Sequence, residues 1–145
     1  MAGYDMVFQV DVAADRDTVR DALTTEKGIN GWWTDKAKVP TGVGGTLEAT
    51  FPGMPQPFDL ELVAADNGRV EWLSRSFPPP WAGTRVIWEF RDNPEQPGTR
   101  VVMRHVDWAP DSPMLGIVTV GWGQIFANLK GYVESGKPQP FFVNP

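Results

Sequence analysis

The sequence contains no cysteine, one histidine and only two tyrosines. Without cysteine the chain has no disulfide bond, no thiolate nucleophile and no thiolate metal site. A structural zinc site is also nearly excluded, because tetrahedral zinc normally takes several Cys and His ligands. A carboxylate-only Mg²⁺ or Ca²⁺ site stays open, although no acidic loop of the EF-hand type occurs. We therefore expect no metal and no cofactor.

Positive charge is also scarce, with 13 Lys and Arg against 18 Asp and Glu, a net charge of −5 and a pI of about 4.8. The electrostatic field of this negative net charge repels phosphate backbones, so nucleic acid is not an expected partner. The longest apolar stretch, 114–122, contains glycines and is shorter than the ~18 residues of a membrane span. The N-terminal residues have neither the basic start nor the apolar run of a signal peptide. These absences predict a cytoplasmic protein that does not bind a membrane.

What the sequence does contain is typical of a folded globular protein. Hydrophobic residues make up 41% of the 145 residues, aromatic residues 12%, and seven residues are tryptophan. This length fits one domain, which we place at residues 1–145.

Alternation of apolar and polar residues predicts six β-strands. The first is "YDMVFQVDV", in which every second residue from Met6 to Val12 is apolar. The others are separated by turn sequences such as "DNG" and "NPEQPG". The six predicted strands span 4–12, 46–51, 58–65, 69–74, 84–91 and 99–108.

Capping signals and apolar spacing predict three helices. Asp15 and Thr25 are N-cap candidates for two short helices after the first strand. Ser112 followed by proline predicts the start of a long helix, and Gly136 predicts its end. The long helix carries an apolar stripe with spacings of three and four residues. Its members are Leu115, Val118, Trp122, Ile125, Leu129 and Val133.

Four motifs in this order resemble the START-like, Bet v 1-related (SRPBCC) superfamily, in particular the branch similar to the activator of the heat-shock protein 90 ATPase. They are "VRDALTTEKGINGWWT", "GVGGTLEATF", "TRVIWEF" with "GTRVVMRH", and "GWGQIFANLKGYVESG". The resemblance implies an α+β helix-grip fold. In it, a curved six-stranded antiparallel sheet wraps around the long C-terminal helix, with the two short helices after the first strand.

The resemblance also implies an apolar cavity between the sheet and the long helix. Strand parity and helix spacing supply its walls, and the predicted ligand-binding residues are Trp33, Trp72, Trp88, Phe90, Met103, His105, Trp122 and Phe126. The alternative is that these side chains only fill the core. An empty void of ~300 Å³ would cost about 7 kcal/mol at ~24 cal/mol per Å³. Either the walls close on one another, or water or an apolar guest occupies the space.

His105 is the only candidate for a catalytic residue, and three roles remain open for it. It is a hydrogen-bonded core histidine, a polar contact for a ligand carbonyl or hydroxyl, or a general acid/base. No serine lies in a nucleophile-elbow sequence. The segment "PPPW" (78–81) is interpreted as a rigid connector that packs Trp81 over the mouth of the cavity.

Three functions follow as hypotheses. We favour a small-molecule binding protein for an apolar or aromatic compound. The first alternative is an enzyme of the aromatase/cyclase type acting on a polyketide-like substrate, in which His105 moves protons. The second is a chaperone-interacting module, because the resembled branch is named for a co-chaperone. The sequence does not decide whether a reaction is catalysed.

Overall fold

The structure, a computed structural model, describes residues 4–145. Its sheet is antiparallel, with the strand order β1-β7-β6-β5-β4-β3-β2. The strands are β1 (Tyr4–Val12), β2 (Lys36–Lys38), β3 (Thr46–Thr50), β4 (Phe58–Ala65), β5 (Arg69–Ser74), β6 (Arg85–Asp92) and β7 (Thr99–Trp108). The helices are α1 (Arg16–Thr24), α2 (Glu26–Trp32) and α3 (Leu115–Ser135). This is the expected α+β helix-grip architecture.

The sheet has seven strands, so the predicted number of six is wrong. The additional strand is β2, which extends the sheet at the edge beyond β3 through the pairing of Lys36 with Thr50. Only Ala37 of its three residues is buried. A strand this short has no alternating pattern for sequence reasoning to detect.

The two short helices begin where their caps predict. The Asp15 carboxylate accepts a hydrogen bond from the Thr18 backbone N–H at 2.8 Å. The Thr25 hydroxyl accepts one from the Gly28 N–H at 2.9 Å. Each side chain thereby satisfies an N–H that has no partner within its own helix.

Helix α3 begins later than predicted. Ser112 is not its N-cap, because its hydroxyl accepts from the Met114 N–H at 3.3 Å in a local turn, and Met114 precedes the first helical residue. Gly136 ends the helix with a φ of 73°, as predicted for a left-handed C-terminal glycine. Among residues 4–145, no helix combines the length and the apolar character needed to cross a membrane.

The core lies between the concave face of the sheet and the three helices. Adjacent strands β6 and β7 place Trp88 opposite Met103 and Val86 opposite His105, all fully buried, which confirms the predicted strand parity. Helix α3 covers this face with the predicted apolar stripe, in which Leu129 is fully buried.

The convex face of the sheet carries ion pairs. The Glu89 carboxylate accepts from the Arg104 guanidinium at 2.6 Å. Glu71 also lies on this face, but it is only 2% exposed because Arg69 and Arg85 both bind its carboxylate. Although strand alternation points Glu71 away from the core, its carboxylate is thus buried in an ion-pair network and not solvated.

Candidate functional site

The interior of the fold is filled largely by tryptophan. All seven tryptophan side chains are at most 5% exposed. Trp33 stacks on Trp72 with ring centroids 5.5 Å apart and planes 7° apart. Trp88 meets Trp72 edge-on at 5.4 Å. In the deep part of the predicted cavity, the walls have thus closed on one another.

An apolar groove of about 200 Å³ remains at the N-terminal end of α3. An engineered apolar cavity of ~150 Å³ binds benzene, so a groove of this size accommodates a compound of one or two rings. The groove is lined by Trp33, Phe51, Pro52, Met54, Phe58, Trp81, Met114, Ile117, Val118, Gly121, Trp122, Ile125 and Phe142.

Backbone hydrogen bonds hold two walls of the groove in place. The Trp81 N–H donates to the Pro78 carbonyl at 2.9 Å, and the Trp81 carbonyl accepts from the Thr84 N–H at 2.8 Å. The Phe142 N–H donates to the carbonyl of Trp33, directly after α2, at 2.9 Å. The groove therefore combines a loop between two strands with a segment that follows the last helix.

A tight turn after β3 supplies the opposite wall. The Met54 N–H donates to the Phe51 carbonyl at 3.2 Å, and Gly53 within this turn has a φ of 79°, which glycine adopts without strain. Met54 is 44% exposed and Ile117 is 68% exposed, so both lie on the rim.

The groove lining contains no ionisable side chain. A ligand carboxylate or phosphate entering it would lose hydration without gaining a cationic partner. The aromatic rings and methionines instead offer dispersion contacts to an apolar guest. The groove thus suits an uncharged apolar or aromatic molecule.

His105 lies behind the groove, is fully buried, and has both ring nitrogens engaged. Its Nδ1 accepts from the Trp122 Nε1–H at 3.1 Å. Its Nε2 lies 2.9 Å from the Thr84 hydroxyl oxygen, and since Nδ1 is an acceptor we assign the ring proton to Nε2 as donor. Burial lowers the pKa of His105 to about 3, so the ring is neutral at neutral pH.

The eight predicted site residues fall into two groups. Trp33 and Trp122 line the groove. The other six pack in the layer behind it as buried core. These six are Trp72, Trp88, Phe90, Met103, His105 and Phe126. His105 contacts two residues that line the groove, Trp122 through a hydrogen bond and Trp81 with ring centroids 4.6 Å apart. Its two bonded ring nitrogens agree with the first of its three predicted roles.

Sequence reasoning missed several groove residues. Met54 follows the glycine of a turn between two predicted strands, and Phe142 lies beyond the predicted end of the long helix. Ile117 falls between members of the apolar stripe of α3. Besides Trp33 and Trp122, the connector "PPPW" also pointed to this place, because Trp81 forms a wall of the groove.

Two larger clefts have a different character. One, of about 610 Å³, lies at the start of α1 and is lined by charged residues that include Asp15, Arg16 and Asp92. The other, of about 640 Å³, lies between segments 79–84 and 107–113. Both are open and have a mixed polar and apolar lining, and they lack the continuous apolar lining that small-molecule sites normally have.

A curved antiparallel sheet around a long C-terminal helix, with an apolar site between them, defines a helix-grip domain of the START-like superfamily. The chain belongs to the family "Activator of Hsp90 ATPase homolog 1-like protein", whose profile matches residues 13–134. A comparison with curated proteins gives no match.

Solved structures share the fold. The Aha1 dimer from Colwellia psychrerythraea is 24% identical, with 92% of this chain and 98% of that chain aligned at a TM-score of 0.81. DynU16, a protein in the dynemicin biosynthetic locus, is 22% identical over 96% of this chain and 50% of its own, with a TM-score of 0.74. CalU16 from Micromonospora echinospora is 20% identical over 94% and 77%, with a TM-score of 0.68.

Proposed function

We propose that this protein binds a small, uncharged apolar or aromatic molecule in the groove at the N-terminal end of α3. The observation that carries the proposal is the continuous apolar lining of an open groove on a protein of net charge −5. Soluble proteins usually cover such surfaces unless they bind something there.

Energetics also favour an occupant. Groove residues Met54 and Ile117 remain largely exposed, and Met114 is partly exposed. Removing apolar surface from water contributes roughly 25 cal/mol per Å². A guest that covers these side chains and the aromatic floor therefore gains hydrophobic free energy on binding.

The aromatase/cyclase alternative receives less support from the site. That mechanism needs a titratable group at the substrate, and the only candidate, His105, has both nitrogens bonded within the protein. The low pKa of about 3 leaves it with little basicity at neutral pH. We therefore place binding ahead of catalysis.

Two glycines of α3 offer a matched test of the proposed site. A side chain at Gly121 would point into open space in the groove, whereas Gly123 is exposed and does not line it. The test titrates wild type, Gly121→Leu and Gly123→Leu with 6-propionyl-2-(dimethylamino)naphthalene, a neutral two-ring fluorescent probe. We expect Gly121→Leu to weaken binding by about tenfold or more, a loss of ~1.4 kcal/mol, and Gly123→Leu to leave it unchanged.

Both substitutions replace a helical glycine, so both should raise helix stability by up to ~1 kcal/mol. A lost signal in Gly121→Leu therefore reports on the groove and not on unfolding. Equal binding by all three proteins, or no binding by wild type, contradicts the proposal.

Docking of a protein partner is the second candidate. Ile117 and Val120 are 68% and 64% exposed on α3 beside the groove, and the name of the family refers to a chaperone ATPase. If this function applies, the protein stimulates the ATPase of the cognate chaperone, and Ile117→Asp with Val120→Asp abolishes the stimulation. An ATPase rate that wild-type protein leaves unchanged rules it out.

A further inference from the structure

One wall of the groove is formed by a short segment that follows α3, residues 139–145, which we call the strap. Within residues 139–145, Phe142 alone lines the groove. Its neighbours Phe141 and Val143 are 38% and 66% exposed. The strap therefore borders the groove through a single aromatic side chain.

Backbone hydrogen bonds tie the strap to the end of α2. The Gln139 N–H donates to the Gly31 carbonyl at 2.8 Å, and the Phe141 N–H donates to the Trp32 carbonyl at 3.1 Å. The last carbonyls of a helix have no partner within the helix, so these bonds satisfy acceptors that would otherwise need water. They lead directly to Phe142, the next residue along the strap.

Asn144 fixes the far end of the strap. Its backbone N–H and its side-chain Nδ2–H both donate to Asp35 Oδ1, at 2.9 Å and 2.7 Å. Nδ2 also lies 3.1 Å from Thr34 Oγ1 and 3.2 Å from the Thr50 carbonyl oxygen. The hydrogen bonds from the side chain and the backbone of Asn144 lower the pKa of Asp35, so the acceptor is an ionised carboxylate at neutral pH. Asn144 therefore joins the strap to the segment after α2 and to β3.

Phe142 continues an aromatic wall that belongs to other elements. Its ring meets Phe51 edge-on at a centroid distance of 5.0 Å. Phe51 in turn contacts Trp33 at 5.1 Å and Phe58 at 4.6 Å, and these side chains all line the groove. Displacement of the strap would remove the Phe142 ring from this wall and widen the groove on the Phe51 side.

We propose that Asn144 is a positioning residue that holds Phe142 in the groove wall and thereby limits the width of the guest. This inference rests on the proposed function and adds a size limit to it. With the strap in place, the groove of about 200 Å³ accepts a compound of one or two rings. A wider fused-ring compound has to displace Phe142 and break the hydrogen bonds of Asn144.

A strap that only covers the end of α2 would have a different consequence. Its loss would expose helix carbonyls and change stability, but it would not change which guest binds best. The placement of Phe142 favours a role at the groove, because hydrogen-bonded residues on both sides, Phe141 and Asn144, hold its ring against Phe51. Guest preference is therefore the quantity to measure.

The experiment compares 2-acetylnaphthalene with 1-acetylpyrene, two neutral ketones that differ in the width of their fused-ring system. Dissociation constants are measured by equilibrium dialysis. Apolar area alone favours the pyrene compound, whereas a groove closed by Phe142 favours the naphthalene compound. We expect wild type to bind the naphthalene compound more tightly.

Asn144→Asp should release the strap, because a carboxylate at position 144 has no N–H to donate and repels the Asp35 carboxylate. The naphthalene compound should then bind about two- to tenfold more weakly, since it loses contact with the Phe142 ring, and the pyrene compound should bind more tightly. Hydrogen exchange checks the release. The amides of Phe141 and Phe142 should exchange faster than in wild type, while those of β5, β6 and β7 stay unchanged.

Gln139→Glu is the matched control. It makes the same change from amide to carboxylate within the strap, but Gln139 is exposed and its side chain forms no hydrogen bond within residues 4–145. This variant should keep the wild-type preference. Phe142→Ala removes the ring, leaves Asn144 in place and should shift the preference toward the pyrene compound. It also keeps the test decisive if Asn144→Asp does not fold.

The possible results distinguish the size limit from the proposed function. The size limit is wrong if wild type binds the pyrene compound more tightly, if Phe142→Ala keeps the wild-type preference, or if Gln139→Glu shifts it as much as Asn144→Asp does. The role of Asn144 is wrong if the strap amides of Asn144→Asp exchange as in wild type, or exchange faster without a change in preference. In each of these cases binding in the groove still stands. If neither compound binds wild type, the proposed function itself fails, and this inference fails with it.

Discussion

The two halves of helix α3 are held to the rest of the protein in different ways. Near its C-terminal end, Glu134 accepts from the Ala13 N–H at 2.8 Å, and Lys130 donates to the Asp11 carbonyl at 2.9 Å. Near its N-terminal end, aromatic packing and the Trp122–His105 hydrogen bond hold the helix. The polar contacts anchor one end, and the other end can border an open groove.

This difference has a physical reason. From its start to Asn128 the helix carries no charged side chain, so its N-terminal half does not form ion pairs with neighbouring segments. Apart from the Trp122–His105 hydrogen bond, its contacts with neighbouring segments are apolar, and apolar contacts are non-directional. Such an apolar surface can be covered either by side chains of the protein or by a bound molecule. The hydrogen bonds of the C-terminal half, in contrast, require one arrangement of the helix against its neighbours.

The largest expected effect comes from truncating a buried side chain in the C-terminal half of α3. Leu129 is fully buried, and Leu129→Ala should lower the free energy of unfolding by ~2–5 kcal/mol in urea denaturation. Val118→Ala is the counterpart at the groove and should cost less, because Val118 already borders open space. Equal losses at both positions would contradict the comparison.

The second effect is a loss of stability at acidic pH, and it arises from His105, which contacts the N-terminal half of α3. The pKa of His105 is lowered from 6.5 to about 3 by burial, so below pH 6.5 the unfolded chain takes up a proton that the folded protein does not. Stability is therefore fully present above that pH and falls by ~1.4 kcal/mol per pH unit down to about pH 3. His105→Gln can keep both hydrogen bonds and should remove this part of the pH dependence. If the urea unfolding midpoints of wild type and His105→Gln change with pH in the same way, the prediction is wrong.

The smallest effect concerns the anchored end. The pKa of Glu134 is held below its usual value by the hydrogen bond from Lys130 and, next, by the Ala13 N–H. This contribution is present above about pH 4.5 and is lost as the pH falls below it. Glu134→Gln should cost at most about 1 kcal/mol, because the side chain is partly exposed.

Hydrogen exchange gives a direct readout of the Glu134 prediction. In Glu134→Gln the amides of the last turns of α3 should exchange faster, while those near Trp122 stay unchanged. Uniform acceleration along the helix would show that the two halves are not independent.

Much of the fold could be predicted because its signals are local. The caps at Asp15 and Thr25, the stripe through Leu129 and the glycine at the end of α3 each depend on residues within a few positions of one another. The errors occur where the structure depends on residues outside the local segment. Strand β2 exists because β3 is beside it, and nothing within its three residues indicates a strand. Ser112 has the sequence of an N-cap but forms a turn.

The candidate site was predicted only in part for a related reason. Strand parity correctly places Trp72, Trp88 and His105 on the inner face, but parity does not say how deep in the interior a side chain lies. Phe51 and Phe142, which are 91 positions apart, meet at 5.0 Å only in the folded protein. A wall made by such a pair has no signature in either segment alone.

The sequence by itself determined the alternation of the strands, the apolar stripe of α3, the negative net charge and the absence of cysteine. These properties follow from residue types and short spacings, and they predict the strands and helices, whereas their helix-grip arrangement was implied by the resemblance to the START-like superfamily. Only the tertiary structure decided that the tryptophans close the deep cavity and leave a groove at its mouth. That outcome depends on how rings from α2, β5 and α3 share one volume, and packing in three dimensions is not encoded by spacing along the chain.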